Sequence, residues 1–341
     1  MIYCLKDRFL TKESGDIMKK NVIMTLGFAF ALLLSSCAQK TEAIFIDRAV
    51  VQEINIEDEA VALSSSPAAV PENVNKNGAV VAPGIKEKKN SKVIIDYSNT
   101  EDGYVMVKFS ANTSKKLKSQ VKGPKSVYTY TLKQGVWEIF PLSDGNGKYQ
   151  VSVFENVKDT KYAVAGSVSF DVALKDEFAP YIIPNQYVDY ADSVNTIAKA
   201  EELTKNIADP LEKVKTVYDY VVKNFTYDKE KAATVKSGYL PVLDTVLEAK
   251  KGICFDYAAL MTGMLRSQGV PCKLVVGYAG TAYHAWISVW TEKTGWIDAT
   301  IYFDGEAWHR MDPTFASSAK QSEEIMKYIG DGSNYTEKYI Y

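Results

Sequence analysis

One cysteine in the sequence stands where protein chemistry favours a reactive thiol. Cys254 comes two positions after Gly252 and opens a stretch whose apolar residues recur every three or four positions up to Leu265. This spacing predicts a helix that begins next to Cys254 and ends at Gln268-Gly269. A helix N-terminus favours negative charge, and the thiolate is the nucleophilic form of cysteine. The pattern indicates a candidate nucleophile, although an inert buried cysteine fits the same residues.

A nucleophilic thiol needs a base, and the chain contains 2 histidines. His284 stands near the start of an apolar run over 282–290, which predicts a mostly buried strand. His309 lies in a second strand pattern that ends at Asp312-Pro313, because proline cannot continue a sheet ladder. A carboxylate at that strand end can accept a hydrogen bond from the far nitrogen of His284 and fix its tautomer. Cys254, His284 and Asp312 are therefore the candidate nucleophile, base and orienting acid.

Two other arrangements use the same thiols. Cys254 and Cys272 would face each other across a helix and the following strand, so a structural disulfide is one alternative. A zinc site built from both cysteines, His284 and His309 is the other, but their spacing does not match the short paired spacings of structural zinc ligands. A thiol nucleophile with a histidine base requires no metal and no cofactor.

The segments that must hold these residues change character along the chain. Over 91–180, short β-branched and aromatic runs alternate with turn sequences such as Ser143-Asp-Gly-Asn-Gly147, which predicts a small β-sandwich. Over 181–320, helical patterns come first, one of them starting at Asp209-Pro210, and strand patterns follow. We therefore predict an α+β fold, with the candidate site in the second domain and a C-terminal tail over 321–341.

Four motifs occur in an order that resembles the transglutaminase-like superfamily. They are Gly252-x-Cys-x-Asp-x-Ala258, Leu265-Arg-Ser-Gln-Gly-Val-Pro271, His284-Ala-Trp286 and Asp312-Pro-Thr314. The resemblance covers roughly residues 200–318 and implies a papain-like core with Cys254 as nucleophile, His284 as base and Asp312 as orienting acid. The segment 295–305 makes the stretch between the last two motifs longer than is usual in the family. Asp298 in that segment is a rival to Asp312.

The resemblance implies acyl transfer through a thioester at a glutamine carboxamide or a peptide bond. Transglutaminase, deamidase and peptidase reactions share this chemistry and differ in the bond attacked and in the second acceptor. Its partners would be protein, peptide or cell-envelope substrates. The alternative from another class is a catalytically idle module that binds protein or envelope material. Asp256, Tyr283 and Trp286 flank the candidate residues, and helix stabilisation or core packing accounts for them equally well.

The N-terminal region predicts export and anchoring. Residues 18–37 resemble a bacterial lipoprotein signal: two lysines, an apolar run too short to span a bilayer, and Leu34-Ser-Ser-Cys37. This predicts lipidation of Cys37 and an extracytoplasmic protein held at a bacterial membrane; an uncleaved anchor or an ordinary signal peptide are the alternatives. For residues 1–17 we expect an over-extended gene start, with a real N-terminal extension as the alternative. Residues 38–90 lack periodicity, which predicts a flexible tether.

The composition excludes one class of partner. The formal net charge is −2, and 46% hydrophobic with 24% charged residues is ordinary for a globular protein. The chain therefore has no basic field of the kind that nucleic-acid binding requires.

Overall fold

Two antiparallel sheets form the first half of the folded chain. The computed structural model describes residues 80–298, 301–303, 308–310 and 335–341. The strands of the first half are β1 (Glu87–Lys89), β2 (Val93–Asp96), β3 (Tyr104–Phe109), β4 (Leu117–Lys122), β5 (Val127–Leu132), β6 (Trp137–Pro141), β7 (Gly147–Lys158) and β8 (Lys161–Val172). One sheet has the order β1-β2-β3-β6 and the other β5-β4-β7-β8.

Alternating side chains from the two sheets meet in one apolar core. Val93, Ile95 and Val107 of the first sheet belong to the same buried cluster as Val121 and Val151 of the second. Two sheets that bury one face each against the other form a β-sandwich. The predicted β-sandwich and its strand patterns are confirmed.

Helices and a second set of strands follow. They are α1 (Val194–Thr204), α2 (Pro210–Asn224), β9 (Thr226–Tyr227), α3 (Lys229–Thr234), α4 (Leu243–Ala249), β10 (Lys251–Gly252), α5 (Cys254–Ser267), β11 (Cys272–Ala279), β12 (Ala282–Thr291), β13 (Gly295–Asp298), β14 (Ile301–Phe303), β15 (Trp308–Arg310) and β16 (Tyr335–Ile340). Helices precede strands here as the sequence pattern indicated, and the α+β prediction is confirmed.

The start of α2 shows why the chain becomes helical there. Asp209 caps the helix by accepting a hydrogen bond from the Leu211 N–H at 2.9 Å. Pro210 occupies the first turn, where its missing N–H has no intrahelical partner to lose. Val214, Val217 and Val221 then bury one face against the domain core.

The helix α5 is the centre of the second domain. Every residue from Asp256 to Arg266 is buried, because α1, α2 and α4 pack against it on one side and β11 and β12 on the other. A helix that is covered all round is a core helix rather than an amphipathic surface helix. Gly269, with φ of 77°, ends it in the left-handed conformation that glycine adopts without steric cost.

The sheet that faces α5 includes a strand that the sequence pattern did not predict. Its order is β13-β12-β11-β16, and all its pairings are antiparallel. The strand β16 belongs to the predicted tail, yet it pairs with β11 from Val275 to Ala279. The candidate nucleophile helix therefore packs on a sheet whose edge is supplied from more than 40 positions beyond β12 (from Thr291 to Tyr335).

One buried arginine joins three separated parts of the fold. Arg266 donates hydrogen bonds to the carbonyl oxygens of Cys272 at 2.8 Å, Ile183 at 2.6 Å and Tyr341 at 2.7 Å. Its burial lowers the pKa of the guanidinium to about 10, so the group remains charged at neutral pH. The linker after the sandwich, the helix α5 and the end of the described chain at Tyr341 are thereby held together.

The end of the predicted tether is part of the folded chain. Residues 80–90 include β1, and Val80 and Ala82 pack against the cluster of Tyr104 in the sandwich.

In the part of the chain that the structure describes, no helix combines the length and apolarity needed to cross a lipid bilayer.

Candidate functional site

Cys254 is the first residue of α5, as the sequence pattern predicted. The preceding residue, Ile253, has extended backbone with φ of −99° and ψ of 176°. The thiol is free and half-buried. The N–H groups of Cys254 and Phe255 lie in the first turn, where no carbonyl of the helix stands four residues before them. They are therefore candidates to bind a negative oxygen at this end of the helix.

His284 lies on β12, the strand next to β11 in the sheet that packs against α5. It stands opposite Gly277 in the ladder, and it is buried. Its ring contacts those of Trp286, at 6.2 Å between centroids, and Tyr335 of β16, at 6.4 Å. The imidazole thus lies between Trp286 of its own strand and Tyr335 of β16, the strand that the sequence did not predict.

The two faces of β12 have different surroundings. Ala285, Ile287 and Val289 share a buried cluster with α5, whereas Trp286 clusters with Val275 and Tyr335 on the opposite face. Because successive side chains alternate between faces, His284 belongs to the Trp286 face. The imidazole therefore lies on the face of β12 opposite to the helix–sheet core.

Tyr283 is a residue of β12 whose pKa is affected by the nearby Cys254 thiol. Desolvation by the surrounding protein raises its pKa to about 12, and the nearby Tyr339, Tyr278 and Cys254 groups act in the same direction. Its side chain is nevertheless 59% exposed. Tyr283 is thus a surface residue near Cys254, and the core packing that the sequence offered equally for it is not what the structure shows.

Asp256 forms a hydrogen-bonded cluster under the cysteine. Its carboxylate is fully buried and accepts bonds from the Ile253 N–H at 2.8 Å, Lys231 Nζ at 2.7 Å and the Tyr239 hydroxyl at 2.6 Å. Burial alone would lower the pKa of Lys231, but the bonds to Asp256 and Tyr239 outweigh it and raise that pKa. The sequence pattern indicated a helix-dipole role for Asp256 and did not predict its two side-chain partners.

Aromatic rings surround the N-terminus of α5. Phe255 lies between Tyr187, at 5.8 Å between ring centroids, and Tyr239, at 6.4 Å. Tyr187 in turn packs on Tyr341 at 4.3 Å. Residues from the linker, the loop after α3 and the last strand therefore form the surroundings of the candidate nucleophile.

The remaining predicted residues fall in different places. Asp312 and Cys37 lie outside the described residues, so their roles stay predictions. Asp298 is the last residue of β13 and pairs in the ladder with Ser288 of β12. His309 lies on β15, opposite Tyr302 of β14.

The disulfide alternative is wrong. Cys254 and Cys272 are both free thiols. The Cys272 thiol lies 3.5 Å from the Thr262 hydroxyl inside the α5–β11 interface, and burial raises its pKa to about 11. Cys272 is a buried core thiol, and of the two cysteines that the structure describes, Cys254 is the one at a helix N-terminus.

Comparison with known proteins identifies this part of the chain. Residues 197–313 match the family described as the transglutaminase-like superfamily. The chain is 27% identical to the uncharacterised protein YebA of Bacillus subtilis, over 51% of the chain and 26% of that protein. It is 26% identical to a protein-glutamine gamma-glutamyltransferase of Pseudomonas aeruginosa, over 37% of the chain and 19% of that protein. The chain thus spans only about a quarter or less of the length of these relatives.

Solved structures give weaker similarities. A putative cysteine protease from Cytophaga hutchinsonii aligns over 62% of this chain and 71% of its own, with 18% identity and a TM-score of 0.32. A transglutaminase from red sea bream aligns over 62% of this chain and 48% of its own, with 15% identity and a TM-score of 0.28. The family match spans Cys254, His284 and Asp312. Residues 197–313 are the part of the chain that matches the transglutaminase-like superfamily.

Proposed function

We propose that the protein is a surface-anchored cysteine acyl-transfer enzyme that acts on glutamine carboxamides or peptide bonds of protein or cell-envelope substrates. The observation that carries the proposal is the position of Cys254. Its free thiol begins a helix whose first-turn N–H groups are unpaired within the helix, and that helix packs on the strand of His284. The core thiol Cys272 is also free, but it begins the strand β11 and is not at a helix N-terminus.

The reaction would proceed in two balanced steps. The Cys254 thiolate attacks the acyl carbon, the new S–C bond replaces the C–N bond, and the departing ammonia or amine takes a proton from the His284 imidazolium. The negative oxygen of the intermediate is stabilised by first-turn N–H groups of α5. Water or a second amine then attacks the thioester, loses a proton to His284, and releases the thiolate.

Asp312 is the proposed orienting acid for His284, with Asp298 as its rival. The imidazole also has a fixed apolar setting between Trp286 and Tyr335, which limits its rotation. A ring held in one orientation and one tautomer is what a base in such a site requires. Lipidation at Cys37 would place this site at a membrane surface outside the cytoplasm.

The test is a product analysis with a matched cysteine control. The purified protein is incubated with a library of glutamine-containing peptides and a primary amine, and the peptides are weighed by mass spectrometry. Deamidation, amine incorporation or cleavage that is lost in Cys254→Ala and kept in Cys272→Ala supports the proposal. If the wild-type protein binds the peptides but yields none of the three products, the enzyme proposal is wrong and the idle binding module takes its place.

A further inference from the structure

The segment between β9 and α4 has almost no core of its own. No residue of α3 is buried, and residues 232–238 are exposed. Asp228 caps α3 by accepting from the Lys231 N–H at 2.9 Å, and its carboxylate also pairs with Lys251 at 3.3 Å. A helix of 6 residues with no apolar face does not hold its position by propensity alone.

Two polar side chains attach this segment to the nucleophile helix. Lys231 Nζ reaches one oxygen of Asp256, the Tyr239 hydroxyl reaches the other, and Lys231 also donates to the Tyr239 oxygen at 2.6 Å. The ammonium stands 4.3 Å from the centre of the Tyr239 ring. Lys231, Tyr239 and Asp256 thus form a closed ring of three hydrogen bonds, and the Asp256 carboxylate in it is fully buried.

The same carboxylate fixes the backbone that leads into Cys254. It accepts from the Ile253 N–H, and a Cβ on Gly252 would lie 2.7 Å from the Asp256 Cβ, so the two residues are in close contact. On the other side, the Gly252 carbonyl accepts from the Asp228 N–H at 2.8 Å. The Gly252–Ile253 peptide, one residue ahead of the cysteine, is therefore held from both sides.

Charge gives this arrangement a second consequence. Asp256 and Cys254 share the first turn of α5, so an unpaired carboxylate there would oppose the formation of a thiolate. Lys251 is paired with Asp228, and Lys231 is the cation that contacts Asp256. The Lys231 ammonium, 2.7 Å from the Asp256 carboxylate, thus offsets the negative charge in this turn.

We propose that Asp256 is the positioning residue of the Cys254 nucleophile, and that Lys231 and Tyr239 form a latch that neutralises and orients it. Lys231 and Tyr239 thereby act on the nucleophile through Asp256, without touching the reacting atoms. This inference rests on the proposed function, because a latch matters only if the Cys254 thiolate reacts. Its test therefore measures the thiol directly and needs no substrate.

The experiment follows iodoacetamide alkylation of Cys254 at neutral pH, read by peptide mass, with Cys272 as the internal slow thiol. Lys231→Met should slow Cys254 about three- to tenfold, because it leaves a bare carboxylate beside the thiol. Lys229→Met, which removes an exposed cation from the same helix, should leave the rate unchanged. Adding Asp256→Asn to Lys231→Met should restore the rate, since the opposing charge is then gone.

A second measurement separates this latch from a contact that only stabilises the fold, which we call a staple. A staple would lower the melting temperature in Lys231→Met but leave the alkylation rate unchanged, and it would not be rescued by Asp256→Asn. Either result overturns the inference. Tyr239→Phe removes one hydroxyl with little loss of packing, and a slowed Cys254 is expected there as well, so the test survives if Lys231→Met fails to fold.

Failure of the proposed function gives a different result. If wild-type Cys254 reacts no faster than the same protein unfolded in denaturant, the thiol is not activated and both ideas fall. If it reacts fast in the wild type and equally fast in Lys231→Met, the acyl-transfer proposal stands and only the latch is wrong.

Discussion

The carbonyl oxygen of Thr336 lies 2.0 Å from the point where a Cβ on Gly277 would be. Gly277 stands opposite His284 in the β11–β12 ladder, and the pairing of β11 with β16 is irregular between Val276 and Gly277. The absence of a side chain at this one position lets β16 approach the strand pair that carries the histidine.

Replacing Gly277 by alanine should therefore push β16 away from β11. We expect a loss of about 1–3 kcal/mol in the free energy of unfolding, because backbone rather than a flexible side chain must move. Peptide cleavage or amine transfer should fall with it, since Tyr335 of β16 contacts His284. Urea unfolding followed by circular dichroism measures the first effect, and the product assay the second.

Gly166→Ala is the matched control for this prediction. A Cβ on Gly166 would lie 3.4 Å from the Val93 side chain, which an adjustment of a few tenths of an ångström accommodates. The change should cost no more than about 0.5 kcal/mol. Equal losses in the two variants would show that the approach of β16 does not depend on the glycine.

The orienting acid can be assigned by a pair of substitutions. Asp312→Asn should preserve the fold and reduce turnover at least about a hundredfold, because an amide favours the wrong imidazole tautomer. Asp298→Asn should have a mild effect. The assay is amine incorporation with melting temperature measured alongside, and a reversed order would move the catalytic carboxylate to the end of β13.

Alkaline pH should weaken the packing of sandwich and catalytic domain. Tyr130 and Tyr341 lie at 6.0 Å between ring centroids, and burial raises the pKa of both phenols well above 10. Between pH 10 and the raised values, the unfolded chain loses these protons and the folded chain keeps them. Stability therefore falls as pH rises, by about 1.4 kcal/mol per pH unit for each of the two tyrosines.

Urea unfolding at pH 8, 10 and 11 measures this slope. Tyr341→Phe removes one titrating group while keeping the ring. The free energy of unfolding should therefore fall less steeply above pH 10, by about 1.4 kcal/mol per pH unit. The wild type and the variant share all other tyrosines, so the difference between their two pH slopes reports on Tyr341 alone. An identical slope would mean that Tyr341 ionises freely in the folded protein.

The predicted anchor is tested by fractionation of cells. The mature wild-type protein should begin at Cys37, carry lipid and sediment with membranes, whereas Cys37→Ala should be released in soluble form. One acyl chain gives only marginal attachment, so stable association would indicate more than one. A wild-type protein found wholly in the soluble fraction would contradict the prediction.

Much of this architecture follows from local patterns in the sequence. The capped start of α2, the helix at Cys254 and the strand at His284 each have a strong periodicity or a terminal signal within a few residues. Such signals act over one or two turns, and tertiary packing reinforces them here. The alternation on β12 was also predictable, since Ala285 and Trp286 occupy the opposite faces that the pattern assigned.

Features that depend on distant partners were not predictable in this way. The strand β16 has a largely exposed surface, so its sequence lacks the buried alternation that indicates a strand; backbone pairing with β11 and the ring of Tyr341 hold it. Asp256 is separated by 25 positions from Lys231, and no spacing rule connects residues so far apart. The free state of Cys254 and Cys272 likewise depends on the direction that each thiol takes in the fold.

The three carbonyls that Arg266 binds also set an order of assembly. Leu274 of β11 exchanges both backbone hydrogen bonds with Tyr341, and the guanidinium takes the Tyr341 carbonyl as one of its acceptors. Until residue 341 has left the ribosome, a buried cation lacks an acceptor and one edge of the sheet lacks its neighbour. The packing of α5 is thus complete only after the segment that contains β16 and Tyr341 has been synthesised.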